Sequence, residues 1–374
     1  MRVAIFTDSF PPSKGGTENA VVRYATSLSK DYEVAVFAPQ NDKEFDDNQF
    51  PFKVFRSFSI KITSNDFWAL PRLSGKMKKQ LKEFNPDIIH TQTLGMMADF
   101  ANSYGKKHNI PVVCTAHTKY KYCYQSALKI PLLVNMVVNR IIKRAQKADL
   151  VCAVSNSMKD ELYSYGLKNK DVLVVRNGHN VNEIKKPQVT RTEQRFTLMY
   201  CGLVIDYKNI GFSLKALSIL KKQRDDFVFY IVGAGPHEKK FKKMAKKLGI
   251  ENNVVMTGWI QDKTQLAQYF CNSDMILFTS IFDTDGLILL ESAEYDKPAF
   301  LIKDSGASER FKDNQTAFIE EYDAEKVAER INYLMDNPDL VQKVGKQCKN
   351  CFNSWDETAS EYKKIYNQLL SNEN

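Results

Sequence analysis

The residues with the most direct chemical potential lie in FDTDGLILLE, residues 282 to 291. Asp283 and Asp285 form an Asp-x-Asp pair, a minimal set of oxygen ligands that can hold a divalent metal against a nucleotide diphosphate. Alternatively Asp283 and Glu291, with seven residues between them, are an acidic pair straddling a helix start. MILFTS reads as a buried strand, IFDTD as the loop after it, and GLILLESAEY as a helix whose first turn begins at Gly286. The amides of Gly286 and Leu287 then lack intrahelical partners and suit a diphosphate, with Glu291 projecting from the second turn on the same side. Either aspartate also suits a plain capping role, since Asp is favoured at helix starts. A site supplied with a lysine, helix-start amides and a glycine loop has enough positive potential to accept a diphosphate without a metal. We therefore order the readings as acidic pair, then capping, then metal ligation.

Other loops that follow strands carry the remaining candidates, because ligands of open parallel sheets sit beyond the strands' carboxyl ends. Lys208, in YCGLVIDYKN, follows a strand and a glycine turn and is placed to meet phosphate. Gly15 and Gly16, in SFPPSKGGTEN, let backbone approach a ligand just before a helix opens. VGAGP, residues 232 to 236, is half of a dinucleotide fingerprint, but Glu238 holds the place of the third glycine, which removes support for a dehydrogenase. His117, in PVVCTAHTKY, sits just past a strand, and His90, in PDIIHTQT, takes the equivalent place on the preceding one. Of the two, His117 is the choice for ligand contact. CKNC, Cys348 to Cys351, is a single C-x-x-C without a second pair, and a structural zinc needs four ligands.

The elements that must position these residues alternate between buried strands and amphipathic helices, which means βαβ units around mostly parallel sheets. The pattern runs through RVAIFT, YEVAVFAP, PDIIHTQT, PVVCTAHT, LVCAVS and DVLVVRNG, then restarts after the polar connector at 182–195. FTLMYCG, FVFYIVGAG, NVVMTGWI, MILFTS and PAFLIK follow. The expectation is two domains, 1–185 joined by a terminal helix at 355–374, and 193–352. A length of 374 residues agrees with two domains of ordinary size. The ligand is expected in a cleft between them.

Hydrophobic content of 43% with 26% charged residues is that of a soluble globular protein. No stretch reaches the ~20 apolar residues of a membrane span, and the N-terminus is a strand running into a loop rather than a signal peptide. A cytoplasmic location is expected, with a net charge of +9 drawing anions to the surface. No helix-turn-helix or RNA-recognition motif stands out, so nucleic acid is not an expected partner. The basic runs at 75–82 and 137–147 are candidates for peripheral contact with an anionic membrane, the second competing with a core-helix role.

Together FPPSKGGTEN, HTQT, TAHTKY, VSNSMKDEL, VVRNG, YCGLVIDYKN, VGAGP, TGWI and DGLILLESAEYDKP resemble the retaining GT-B glycosyltransferases of family 4 over nearly the whole chain. HTQT, IPVVCTAHTKY and SYGLK make the chain most similar to the diacylglycerol glucosyltransferases. The resemblance implies an α/β fold of GT-B type, with two Rossmann-like βαβ domains whose parallel sheets face a deep interdomain cleft. It implies a retaining transferase that moves a hexose, glucose from UDP-glucose, to a membrane lipid or glycan acceptor without metal or other cofactor. Glu291 matches the acid that holds the ribose hydroxyls, Asp283 takes the place of the acid that contacts the donor sugar, and Lys208 matches the lysine that grips the diphosphate. Gly16 matches the glycine loop near the phosphates, Gly286 and Leu287 supply helix-start amides to the donor, and His117 matches the histidine near the reacting centre. Three departures stand out: Leu203 replaces the usual Arg beside Lys208, Asp283 is one methylene shorter than the usual Glu, and Asp296 replaces a usual Gly. They keep open an alternative in which the chain is a non-catalytic GT-B subunit that binds an acceptor or a partner transferase.

Overall fold

The computed structural model describes residues 1–13, 15–42, 44–62, 67–128, 130–179, 191 and 193–371. Most of the polar connector expected at 182–195 therefore lies outside the described residues. The chain divides into two compact units, one made of Met1–Gly178 with Asn353–Asn374 and the other of His179–Phe352.

Among the described residues the first unit has nine strands: β1 Arg2–Phe6, β2 Glu33–Pro39, β3 Lys53–Ser57, β4 Ser59–Lys61, β5 Phe67–Ala69, β6 Ile88–Thr91, β7 Val112–Ala116, β8 Leu150–Ala153 and β9 Val172–Val174. Seven of them form one parallel sheet in the order β3-β2-β1-β6-β7-β8-β9. The runs VAIF, VAVFA and VVCTA are buried along their whole length rather than alternately, because helices cover both faces of the sheet. Those helices are α1 Gly16–Leu28, α2 Gly75–Phe84, α3 Met96–His108, α4 Tyr120–Leu128, α5 Pro131–Lys147 and α6 Asn156–Ser164. Their ends follow ordinary capping chemistry: Ser155 accepts from the Met158 amide at 3.1 Å, and Asn85 and Asn109 take left-handed conformations after α2 and α3. Strands β4 and β5 form a separate antiparallel ribbon that the sequence pattern did not announce.

The second unit contains β10 Phe196–Cys201, β11 Phe227–Val232, β12 Val254–Gly258, β13 Met275–Phe278, β14 Ala299–Ile302 and β15 Phe318–Glu320. They form a parallel sheet in the order β12-β11-β10-β13-β14-β15. Helices α7 Ile210–Leu220, α8 Glu238–Lys247, α9 Lys263–Asn272, α10 Leu287–Glu294, α11 Ala324–Met335 and α12 Pro338–Gln347 pack on it. The last helix, α13 Trp355–Ser371, belongs to the first unit, where Tyr362 and Tyr366 are buried against Tyr24 and His90.

In both sheets the strand order reverses direction next to the first strand, between β1 and β6 in one and between β10 and β13 in the other. Helices leave to opposite faces at such a point, opening a crevice at the strands' carboxyl ends. The loops after these four strands therefore rank first for function.

Candidate active site

In the second unit β10 ends at Cys201, and the chain turns through Gly202 and Leu203 to a short 3-10 turn at Asp206–Lys208. Two glycines make that turn possible. Gly233, after β11, has φ 136°, and a Cβ there would lie 2.0 Å from the Gly202 carbonyl oxygen. The loop after β11 thus braces the loop that carries Lys208: the Val204 amide donates to Ala234 at 3.0 Å and the His237 amide to Val204 at 3.2 Å. VGAGP here is a support for its neighbour.

Asn209 follows Lys208 in the left-handed conformation and starts α7. Its side-chain amide donates to the Thr279 carbonyl at 3.0 Å, and the Thr279 hydroxyl returns a bond to the Asn209 carbonyl at 3.2 Å. Ser213 shares a further 2.7 Å bond with Thr279. These bonds lock the loop after β10 to the loop after β13, and across that join Lys208 forms an ion pair with Asp283. The second carboxylate oxygen of Asp283, Oδ2, is buried with no hydrogen-bond partner among the described residues. A buried acceptor of this kind is destabilising until a donor reaches it.

Asp285 faces elsewhere. It pairs with Arg310, both side chains being less than 5% exposed, and the Arg310 guanidinium lies 4.8 Å from the centre of the Phe352 ring. The two aspartates are thus paired with different cations rather than presented as a shared ligand pair. The N-cap of α10 is Gly286, with φ 66°, so neither aspartate occupies that position. Gly286 and Leu287 stand at the amino end of α10, where first-turn N–H groups lack intrahelical acceptors. Glu291 sits one turn further along, half-buried, near the end of β10: the Cys201 thiol is pushed up to about 12 by burial and, second, by the charge of Glu291. Lys208 and Asp283 thus lie on the loops flanking the β10/β13 reversal, and Glu291 on the helix that follows the second of them.

The three departures have distinct structural settings. Leu203 is 46% exposed in the loop that leads to Lys208. Asp296 has φ 57°, a left-handed conformation that glycine adopts most easily and that Asp is among the few other residues to tolerate. Asp283, one methylene shorter than Glu, still reaches Lys208.

In the first unit Gly16 opens α1 in the loop after β1, and His117 directly follows β7. His90, expected to share a strand-end position with His117, instead lies inside β6, fully buried and paired in register with Val113 and Ile5. Its Nδ1 meets the Tyr366 hydroxyl at 2.5 Å and its Nε2 the Thr115 hydroxyl at 2.8 Å, while Tyr362 bonds Thr115 at 2.9 Å. Gln92, which sequence reasoning passed over, links the two histidines: its Nε2 lies 3.2 Å from His90, and its Oε1 lies 2.6 Å from Nε2 of His117. An amide oxygen only accepts, so His117 carries its proton on Nε2 and presents Nδ1 as an acceptor. The one sequence trace of Gln92 was its place in HTQT.

Burial lowers the pKa of His117 to about 4, and burial followed by the charge of His117 lowers that of His90 to about 3. Both rings are therefore neutral at pH 7. Below the ordinary value of about 6.5 the unfolded chain binds protons that the folded chain refuses, so stability falls as pH drops, and stops falling from this source below the folded values. Unfolding free energies from urea titrations are expected to fall as pH drops from about 6.5 to 4, by up to about 1.4 kcal/mol per pH unit for each histidine. His90→Gln is expected to flatten that slope, and a slope unchanged in the variant would show that His90 is not responsible. Gln92→Leu removes the oxygen that accepts from His117 Nε2 and is expected to lower kcat about tenfold with little change in KM. A KM effect alone would refute that positioning role.

Comparison with known proteins agrees with both halves. Residues 14–183 match the family model described as Glycosyltransferase Family 4, and residues 181–350 match the one described as Glycosyl transferases group 1. The alpha-monoglucosyldiacylglycerol synthase of Streptococcus pneumoniae is 25% identical over 323 residues, covering 80% of this chain and 70% of that protein. The enzyme of the same name from Acholeplasma laidlawii is 21% identical, covering 93% of this chain and 92% of that one. Among solved structures, Anabaena HepE in complex with UDP and glucose superimposes with a TM-score of 0.77 at 16% identity, covering 98% of this chain and 100% of that one. The chain belongs to the GT-B glycosyltransferases of family 4, and within them it is similar to the diacylglycerol glucosyltransferases.

Proposed function

We infer that the protein is a metal-independent, retaining hexosyltransferase that takes glucose from UDP-glucose and delivers it to a lipid or glycan acceptor at the inner face of the cell membrane. The observation that carries this reading is Asp283: one oxygen paired with Lys208, the other buried and unpartnered, beside a helix start at the sheet's reversal point. An entering sugar hydroxyl satisfies the orphan oxygen, and an entering diphosphate competes for Lys208. The donor named for the HepE complexes, and the diacylglycerol products named for the two bacterial relatives, support the choice of substrates.

Each residue then has a defined role. Lys208 and the amides at the start of α10, including those of Gly286 and Leu287, stabilise the diphosphate as it departs, in a charge-assisted arrangement that precedes the reaction. Glu291 holds the ribose, Asp283 the transferred sugar, and the loop before Gly16 approaches the phosphates. His117 stays neutral and offers an acceptor to the sugar near the reacting carbon. The acceptor hydroxyl attacks from the face the diphosphate leaves, and its proton passes to the departing phosphate oxygen, so the anomeric configuration is kept. Because Lys208 and the helix-start amides supply positive potential to the diphosphate, activity is expected to survive chelation of divalent metals.

Leu203 favours a second reading, a subunit without catalysis, because it puts an exposed apolar side chain where a second cation would grip the diphosphate. The two are separated by incubating the protein with radiolabelled UDP-glucose, membrane lipids and glycan acceptors, with and without EDTA, and assigning the product anomer by NMR. An α-linked glucoside formed equally with EDTA supports the transferase. Neither transfer nor donor hydrolysis, together with no UDP binding by calorimetry, refutes it.

A further inference from the structure

His90 is a buried histidine that the transfer itself leaves unused. It lies fully buried on the middle strand of its sheet, where a leucine would pack without any polar demand. Three tyrosine rings enclose it instead, with ring centres 4.8 Å away for Tyr362, 5.5 Å for Tyr24 and 5.8 Å for Tyr366. Tyr24 comes from α1 and the other two from α13, and none is more than 3% exposed. Every one of these hydroxyls has a partner. That of Tyr366 meets His90 Nδ1 and the Tyr24 hydroxyl, and that of Tyr362 meets Thr115, which in turn bonds His90 Nε2. Helix α13 is held in place on α1 by the ion pairs of Asp356 with Lys30, at 2.8 Å, and of Lys363 with Asp31.

A buried polar network is costly when incomplete, and when complete it fixes one arrangement of its groups. The arrangement extends outward from His90. Among the described residues its hydrogen-bond partners are hydroxyls and the Gln92 amide, with no carboxylate to stabilise an imidazolium. The ring is therefore neutral, and one of its two nitrogens is an acceptor. The Gln92 side-chain nitrogen lies 3.2 Å from one ring nitrogen and 3.4 Å from the other, so it meets that acceptor in either tautomer. With its nitrogen turned to His90, Gln92 turns its oxygen to Nε2 of His117, at 2.6 Å. The opposite amide orientation sets an N–H of Gln92 against the N–H of His117, which displaces either the ring or its proton.

We propose that Tyr366 and His90 are positioning residues for His117: from the far end of the chain α13 holds the His90 ring, His90 orients the Gln92 amide, and the Gln92 oxygen holds the Nε2 proton of His117. The relay's purpose rests on the reading that His117 meets the donor sugar. Its existence does not.

The test is proton–nitrogen correlation NMR of the full chain with labelled histidine, in which the two ring nitrogens of each of the five histidines are read separately. Melting temperature and glucose transfer are measured alongside, and His117→Gln assigns the His117 signals. The wild type is expected to carry the His117 proton on Nε2. Tyr366→Phe, which removes a single oxygen, is expected to bring up a second set of His117 signals and to lower kcat about threefold with KM little changed. His90→Phe offers no acceptor to Gln92 and is expected to make the second set dominant, with kcat about tenfold lower. His90→Gln has a side-chain oxygen that accepts from the same amide, and is expected to restore the wild-type His117 signals and kcat to within about twofold. A merely structural role lowers the melting temperature of the variants without moving the His117 nitrogens, and that result overturns the proposal. So does a wild type with the His117 proton on Nδ1. Should His90→Phe fail to fold, Tyr366→Phe decides alone. His117 signals that respond as expected while no variant differs in transfer, or while the wild type transfers nothing, defeat the role given to His117 in the proposed function and leave the relay standing.

Discussion

Lys208→Ala is expected to lower kcat/KM for glucose transfer about 10²–10³-fold, with UDP binding weakened at least tenfold in calorimetry. Two effects combine in that number. The leaving diphosphate loses its charge-assisted contact, which acts most strongly as charge develops on the departing oxygen. Asp283 also loses its only ion pair among the described residues and is left as a buried carboxylate whose other oxygen is already without a partner. Asp283→Asn separates the effects, because it removes that carboxylate charge while keeping Lys208. It is expected to depress kcat, through loss of the sugar contact, and to leave UDP affinity nearly intact. If Lys208→Ala leaves both UDP affinity and turnover unchanged, the lysine does not touch the donor.

The second large effect concerns stability. Arg310→Met is expected to destabilise the protein by about 3–5 kcal/mol, because it removes the cation paired with the buried carboxylate of Asp285. Melting temperature is the readout. Removing both partners, Arg310→Met with Asp285→Leu, is expected to recover most of the loss, since an apolar pair of similar volume is about as stable as a buried ion pair. A single variant that melts with the wild type would mean that Asp285 is solvated or held by other partners. Because the loop after β13 carries Asp283 as well as Asp285, the single variant should also raise KM for the donor.

The sequence announced the fold well where local and global preferences agreed. RVAIF, EVAVFAP, FTLMYC and FVFYIV are continuous apolar runs of strand length flanked by helical patterns, and only a parallel sheet covered on both faces uses such runs. The same logic placed Lys208, Asp283 and His117 after strands, at the end of the sheet where ligands of open parallel sheets gather. What stayed hidden depends on contacts between distant segments. Nothing in GASERFKD marks Arg310 as the partner of Asp285, 25 positions earlier. His90 resembled His117 by strand position, yet it pairs with Val113, four residues short of His117, and so lies inside β6 among hydroxyls from α1, β7 and α13. The β4/β5 ribbon escaped notice because its strands are three residues each and their apolar residues face outward.

The most direct measurement is a crystal structure of the protein soaked with UDP-glucose. The expected result places the diphosphate against Nζ of Lys208 and the amides at the start of α10, the ribose hydroxyls on Glu291, and a glucose hydroxyl within 3.2 Å of the orphaned Oδ2 of Asp283. Donor density elsewhere, or Lys208 still paired to Asp283 with Oδ2 unfilled and the nucleotide absent from the β10/β13 loops, would contradict it.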